Sequence, residues 1–131
     1  MGYYQSVTIN SGAAAGSSGS ATNNGTSSSP ICGEICSIGI TYGDSPPGTT
    51  DVTVATTGDN GPALTLLTVT IGNAYGWVHV RHKIADNAGA DITYDGTRDV
   101  YEKVCISDYV KVTIAGADAN DTAEVLIVYA G

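Results

Sequence analysis

Charge is what this chain lacks where it begins. The first thirty-three residues, Met1 to Gly33, carry no charged side chain and are mostly Gly, Ala, Ser, Thr and Asn. A tract such as Gly12 to Ser29 has almost nothing to bury, so it cannot by itself offset roughly 1–2 kcal/mol of backbone ordering per residue. Residues 1–34 therefore read as an extended low-complexity arm, ordered by neighbouring copies or partner chains. Basic residues are scarce as well. Arg81, Lys83, Arg98, Lys103 and Lys111 are the only five in a chain of 131 residues with a net charge of −8. That balance repels nucleic acid phosphates, and nucleic acid is not an expected partner.

Long apolar runs and targeting signals are missing too. No stretch approaches a membrane span, and the N-terminus has neither a basic start nor a continuous apolar run, so neither a membrane nor a cleaved secretion signal is expected. Met1-Gly2-Tyr3-Tyr4-Gln5-Ser6 has the spacing of a myristoylation signal, a modification that requires loss of Met1. Sequons at Asn24 and Asn120 matter only in a eukaryotic secretory setting that nothing else suggests. Of the three cysteines, Cys32, Cys36 and Cys105, at least one stays unpaired within the chain. Cys32 and Cys36 would stand about 13 Å apart on an extended strand, too far to bridge without a turn at Gly33. They read as small buried hydrophobes, with a link from the Cys32/Cys36 region to Cys105 as the alternative; two His and three Cys lack a zinc-type pairing.

What remains is β-structure. No window carries a 3.6-residue apolar stripe, and from Pro30 onward short runs of Val, Ile, Thr and Tyr alternate with Gly, Asp, Asn and Pro clusters. Ile35 to Tyr42 places Cys36, Ile38, Ile40 and Tyr42 on one face. Asp51 to Thr56 follows the loop 43–48, and Thr57-Gly58-Asp59-Asn60-Gly61-Pro62 is a turn. Ala63 to Ile71 reads as a central strand covered on both faces. Trp77 to Ile84 alternates, with Val78, Val80, His82 and Ile84 on one side and Trp77, His79, Arg81 and Lys83 on the other. Ile92 to Tyr94, Val100 to Ile106, Tyr109 to Ala115 and Ala123 to Tyr129 bring the count to eight. The expected fold is all-β: a single β-sandwich over residues 35–131, jelly-roll or immunoglobulin-like, with Val78, Val80, Ile84, Val110, Val112 and Ile114 in its core. Within the arm only Ser6-Val7-Thr8-Ile9 favours a strand, and it could add to a sheet edge, its own or a neighbour's.

Chemistry-bearing constellations are thin. His79 and His82 face opposite sides of one strand, and no Gly-x-Ser-x-Gly elbow or phosphate-cradling loop precedes a helix. Asp86, Asp91, Asp95, Asp99 and Glu102 crowd one region but fall at turns, where Asp bonds local backbone N–H groups. That cluster, or Asp118, Asn120 and Asp121, could hold Ca²⁺ through oxygens, although neither has EF-hand spacing. His82 reads as a core histidine. Trp77, His79, Arg81 and Lys83 form a candidate contact face for an acidic partner, and Tyr3, Tyr4, Val7 and Ile9 the candidate contacts of the arm. No enzyme activity and no cofactor are expected.

The stretches Thr57-Gly58-Asp59-Asn60-Gly61-Pro62-Ala63-Leu64-Thr65-Leu66-Leu67, Gly76-Trp77-Val78, Asp86-Asn87-Ala88-Gly89-Ala90, Asp108-Tyr109-Val110-Lys111-Val112-Thr113 and Ala115-Gly116-Ala117 resemble small β-sandwich structural proteins of tailed bacteriophages, among them capsid decoration, or cement, proteins. The resemblance covers roughly residues 35–131 and rests on turn and core signatures. It implies a virion protein on the outer capsid surface, a homotrimer seated where major capsid protein subunits meet. The competing expectations are a tail, fibre or filament subunit that donates its N-terminal strand, and a carbohydrate-binding module using Trp77 or exposed tyrosines.

Overall fold

The structure, a computed structural model, describes residues 3–43, 46–70 and 76–131. Within them lie eleven strands and no helix: β1 (Tyr4–Asn10), β2 (Ala21–Thr26), β3 (Ile31–Tyr42), β4 (Asp51–Thr56), β5 (Thr65–Val69), β6 (Gly76–Val78), β7 (Arg81–Lys83), β8 (Tyr101–Lys103), β9 (Cys105–Asp108), β10 (Val110–Ala117) and β11 (Ala123–Ala130). One sheet runs β1-β11-β3-β6, with β9 also paired to β3; the other runs β2-β10-β4-β5; β7 and β8 form a separate ribbon. All pairings are antiparallel.

The two sheets bury their inner faces against each other, as a β-sandwich does. Ile9, Ile31, Ile35, Ile38, Ile40, Val125 and Ile127 come from the first, and Val52, Val54, Leu66, Val110, Val112 and Ile114 from the second. Nearly all are β-branched, the side chains that pack best on a pleated surface. At roughly 1.5–3 kcal/mol for each large side chain taken from water, this layer dominates the stability of the fold.

The N-terminal residues are not an arm. β1 pairs along its whole length with β11, from Tyr4 opposite Ala130 to Asn10 opposite Glu124. β2 pairs with β10, and the first four residues of β3 pair with β9. Ser6-Val7-Thr8-Ile9 thus adds to the chain's own sheet edge. The uncharged, small-residue composition serves close backbone approach: a side chain at Gly25 would collide with the Asn10 carbonyl oxygen. Ala14 and Ala21 are buried in the core. Polar groups of the connecting loop are taken up by the turn before β11, where Ala14 N donates to the Asp121 carbonyl (2.8 Å), Asn120 N to the Ala14 carbonyl (2.7 Å), and Ser18 Oγ to Asp118 Oδ1 (2.7 Å).

Other expectations change for identifiable reasons. β3 carries a bulge: Val128 opposes Ser37 and Tyr129 opposes Ile35, leaving Cys36 unpaired. The extra residue lets Ile31 and Ile35 share the inner face with Ile38 and Ile40, and moves Cys36 off that alternation. β5 is an edge strand among the described residues, not a central one; Ile71 lies outside them, as do Met1, Gly2, Asp44 and Ser45. The expected Trp77–Ile84 strand breaks after Val78, so the alternation runs on without a sheet to cover it. Val80 is buried, but Val78 is 40% exposed at the sheet edge and Ile84 is half-buried on the ribbon. Residues 92–94 contribute only an isolated bridge, Thr93 to Asp99. Cys32 and Cys105 are exposed free thiols and Cys36 is a half-buried one, so neither the buried reading nor the disulfide holds.

Candidate functional site

Two surfaces gather the candidate residues. The first is the excursion from Arg81 to Lys103, which leaves the sandwich through an opened edge. On that edge of β3, β6 pairs with residues 38–40 and β9 with residues 31–34. Between the two the chain departs at Val80 and returns at Val104, both buried, with Ile35 N donating to the Val104 carbonyl (2.8 Å). No residue from Arg81 to Lys103 is buried.

This lobe holds four of the five basic side chains, and three of those four face carboxylates of the protein itself. Lys83 Nζ stands 3.3 Å from Asp99 and 3.8 Å from Asp91, Arg98 Nε 3.1 Å from Asp95, and Lys103 Nζ 3.4 Å from Glu34. The Asp99 hydrogen bond, then the charges of Asp99 and Asp91, raise the Lys83 pKa. Arg81 Nη1 donates to the Val80 carbonyl (2.8 Å). His82 is not a core histidine: it is half exposed, 3.1 Å from Glu102. Two members of the Asp cluster behave as turn chemistry, while Asp91, Asp99 and Glu102 face Lys83 and His82. Asp86 Oδ1 accepts from the N–H groups of Ala88 and Ala90, and Asp95 Oδ1 from Thr97 and Arg98. The Arg98 N–H, then the Thr97 hydroxyl and N–H, lower the Asp95 pKa. Between lobe and sandwich lies a groove of about 610 Å³, lined by Glu34, Leu64, His82, Glu102, Lys103 and Cys105 among others.

The expected basic face is divided between two places. Arg81 and Lys83 belong to the ribbon, whereas Trp77 lies on the outer face of the first sheet and is 57% exposed; His79, between them, is exposed. The expected arm contacts divide as well. Tyr3 and Tyr4 are exposed, but Ile9 belongs to the core and Val7 packs against it, because both point inward from β1.

The second surface is built around Trp77, which sits directly opposite Gly39. If Gly39 carried a Cβ, that atom would stand 3.0 Å from each of Cδ2, Cε2 and Cε3 of the indole. A point equidistant from a ring atom and both its bonded ring neighbours lies on the axis through the ring centre. The six-membered ring therefore stands face-on over the Gly39 backbone, and its other face is open. Register extends this line across the sheet as Trp77, Gly39, Leu126 and Thr8, with Thr41 and Glu124 paired in the next row on the same face. These side chains enclose a trough of about 210 Å³. The signal in the sequence was Gly39 between two isoleucines, since glycine inside a strand marks close approach; Thr8, Glu124 and Leu126 join only through register.

No family model matches the chain, and no curated protein is significantly similar to it. Among solved structures, a crystal structure of FLHE aligns over 98% of this chain and 96% of its own at 12% identity, with a TM-score of 0.35. A likeness at that level carries no argument here.

Proposed function

We propose that the protein is a non-enzymatic structural component of a virion shell, a decoration protein that docks on the assembled capsid and adds to its stability. The observation that supports this best is the lobe. Ile92, Tyr94 and Tyr101 stand 43%, 77% and 54% exposed on an extension with no fully buried residue between its roots. Exposed aromatic side chains such as these tyrosines are the groups that anchor protein contacts once desolvated. The resemblance of residues 35–131 to phage structural proteins supplies the partners: the major capsid protein, and further copies of this chain in a trimer on the outer surface.

In this reading the lobe, not an N-terminal arm, makes the contact. Donation of β1 to a neighbour, which a filament subunit would need, requires breaking its seven-residue ladder with β11. A protein that binds only the assembled shell stabilises it by mass action, and several contacts per particle multiply the effect. Shells carrying the protein should melt at a higher temperature in scanning calorimetry than shells without it. Replacing Tyr94 and Tyr101 together by Ser should abolish that gain while leaving the free protein folded. Unchanged shell melting with saturating protein defeats the proposal.

A further inference from the structure

We propose that the trough beside Trp77 is a saccharide-binding site, which takes a neutral pyranose residue of a glycan chain. The inference is independent of shell docking, since it concerns the outer face of the β1-β11-β3-β6 sheet and not the lobe. Its argument begins with the indole. One ring face is fixed against the Gly39 backbone and the other is open, giving a flat apolar platform whose tilt is set by the sheet. A pyranose has the matching two-sided chemistry: a face of C–H groups that lies on an aromatic ring, and a rim of hydroxyls that both donate and accept hydrogen bonds.

The trough supplies the rim's partners. Thr8 and Thr41 offer hydroxyls, and Glu124 offers a carboxylate, which forms stronger hydrogen bonds with hydroxyl donors than a neutral acceptor does. Glu124 takes part in none of the ion pairs among the described residues. Leu126 forms an apolar floor between the ring, which covers Gly39, and Thr8. Three strand spacings separate Trp77 from Thr8, about 14 Å. An apolar surface with a few placed polar groups is the usual composition of a small-ligand site, and 210 Å³ falls below the range of about 300–1,000 Å³ that holds drug-sized molecules. The trough fits one sugar ring with its neighbours extending along the sheet.

Charge selects the class of sugar. Among the described residues no basic side chain lines the trough, Glu124 does, and the chain carries a net charge of −8. Sulfated, phosphorylated and uronic acid glycans are therefore repelled, and neutral ones accepted.

Trp77 is the only tryptophan of the chain, so its emission reports the site directly. The test titrates the purified full-length protein with glycogen, barley β-glucan, galactomannan and xylan, and with dextran sulfate as the anionic control. Mobility in gels containing each polymer is measured in parallel. The expected result is a saturable change in indole emission and retardation by at least one neutral polymer, with none by dextran sulfate. Glu124→Ala should weaken binding at least about tenfold, the loss typical of a central contact, without moving the urea midpoint. Gly39→Val, which lifts the ring off the sheet, should do the same while keeping the indole, and circular dichroism will verify that it folds. Binding that both folded variants retain, or retardation by dextran sulfate alone, overturns the assignment, as does the absence of any response to the neutral polymers.

Discussion

Ile9 decides whether β1 belongs to the fold. Its side chain is 3% exposed in the core, while its neighbour Thr8 points to the outer face of the same strand. Ile9→Ala removes three carbons, about 2.4 kcal/mol at roughly 0.8 kcal/mol per buried methylene. A residual cavity would add to this, as it does in the range of about 2–5 kcal/mol found for buried Ile or Leu truncations. β1 is an edge strand and can settle inward, which favours the lower half of that range, about 2–3 kcal/mol. Thr8→Ala removes only exposed atoms and should stay within about 0.5 kcal/mol.

The two variants are compared by equilibrium urea unfolding, followed by far-ultraviolet circular dichroism, which reads the sheets and not the single indole. A docked strand predicts a clear fall in midpoint for Ile9→Ala at unchanged slope, and almost none for Thr8→Ala. An arm held only by partners predicts no effect for either in the isolated protein. Equal midpoints for both variants and the parent would therefore refute the assignment of β1 to the first sheet in solution.

Asp108 should govern acid sensitivity. Its side chain is buried, and although burial alone would raise its pKa, hydrogen bonds from the N–H groups of Asn60, Gly58 and Tyr109 and from the Thr57 hydroxyl outweigh that and lower it. A lowered folded value means that the contribution is complete above the ordinary carboxylate value, about 3.9, and is lost as pH falls through the folded one. Asp108→Asn should thus lower the urea midpoint at pH 7 and flatten its decline below about pH 4; an unchanged acid profile refutes this. Cys32 and Cys105 should react rapidly with a thiol reagent in the folded protein and Cys36 more slowly, with dithiothreitol leaving the melting temperature unchanged; a reductant-sensitive midpoint would mean a bridge.

Strands with unbroken alternation and full cover were legible in the sequence. β4 matches its expected bounds, and β10 and β11 shift by one or two residues, because Val110, Val112 and Ile114, and Val125 and Ile127, repeat every second position beneath a facing sheet. β2 was not legible. Its one core side chain is Ala21, and its order derives from ladder bonds to β10 and from the closeness that Gly25 permits, neither of which leaves an apolar pattern. The Cys36 bulge hid the register of β3, since period-two reading assumes that no residue is extra. At Trp77 the sequence marked one half of the candidate site. The other half arrives from β1 and β11, at the two ends of the chain, and only pairing brings it there.

The opened edge of β3 leads to a test of how far the lobe is separable from the sandwich. Arg81, His82 and Lys83 stand opposite Lys103, Glu102 and Tyr101, so the ribbon can be closed directly after its last pair. Replacing residues 84–100 by Asn-Gly, the sequence favoured in a two-residue hairpin turn, preserves that register and the buried roots Val80 and Val104. Shortening the loop by about three doublings gains about 2 kcal/mol of closure entropy at about 0.6 kcal/mol each. Against this stand the half-buried Ile84 and the exposed pairs of Lys83 with Asp91 and Asp99, which contribute little. The shortened protein should keep its urea midpoint to within about 1 kcal/mol and, under the proposed function, fail to raise shell melting. A soluble but strongly destabilised product would mean that the lobe is part of the folding unit, and its exposed aromatics would then need a structural account in place of a docking one.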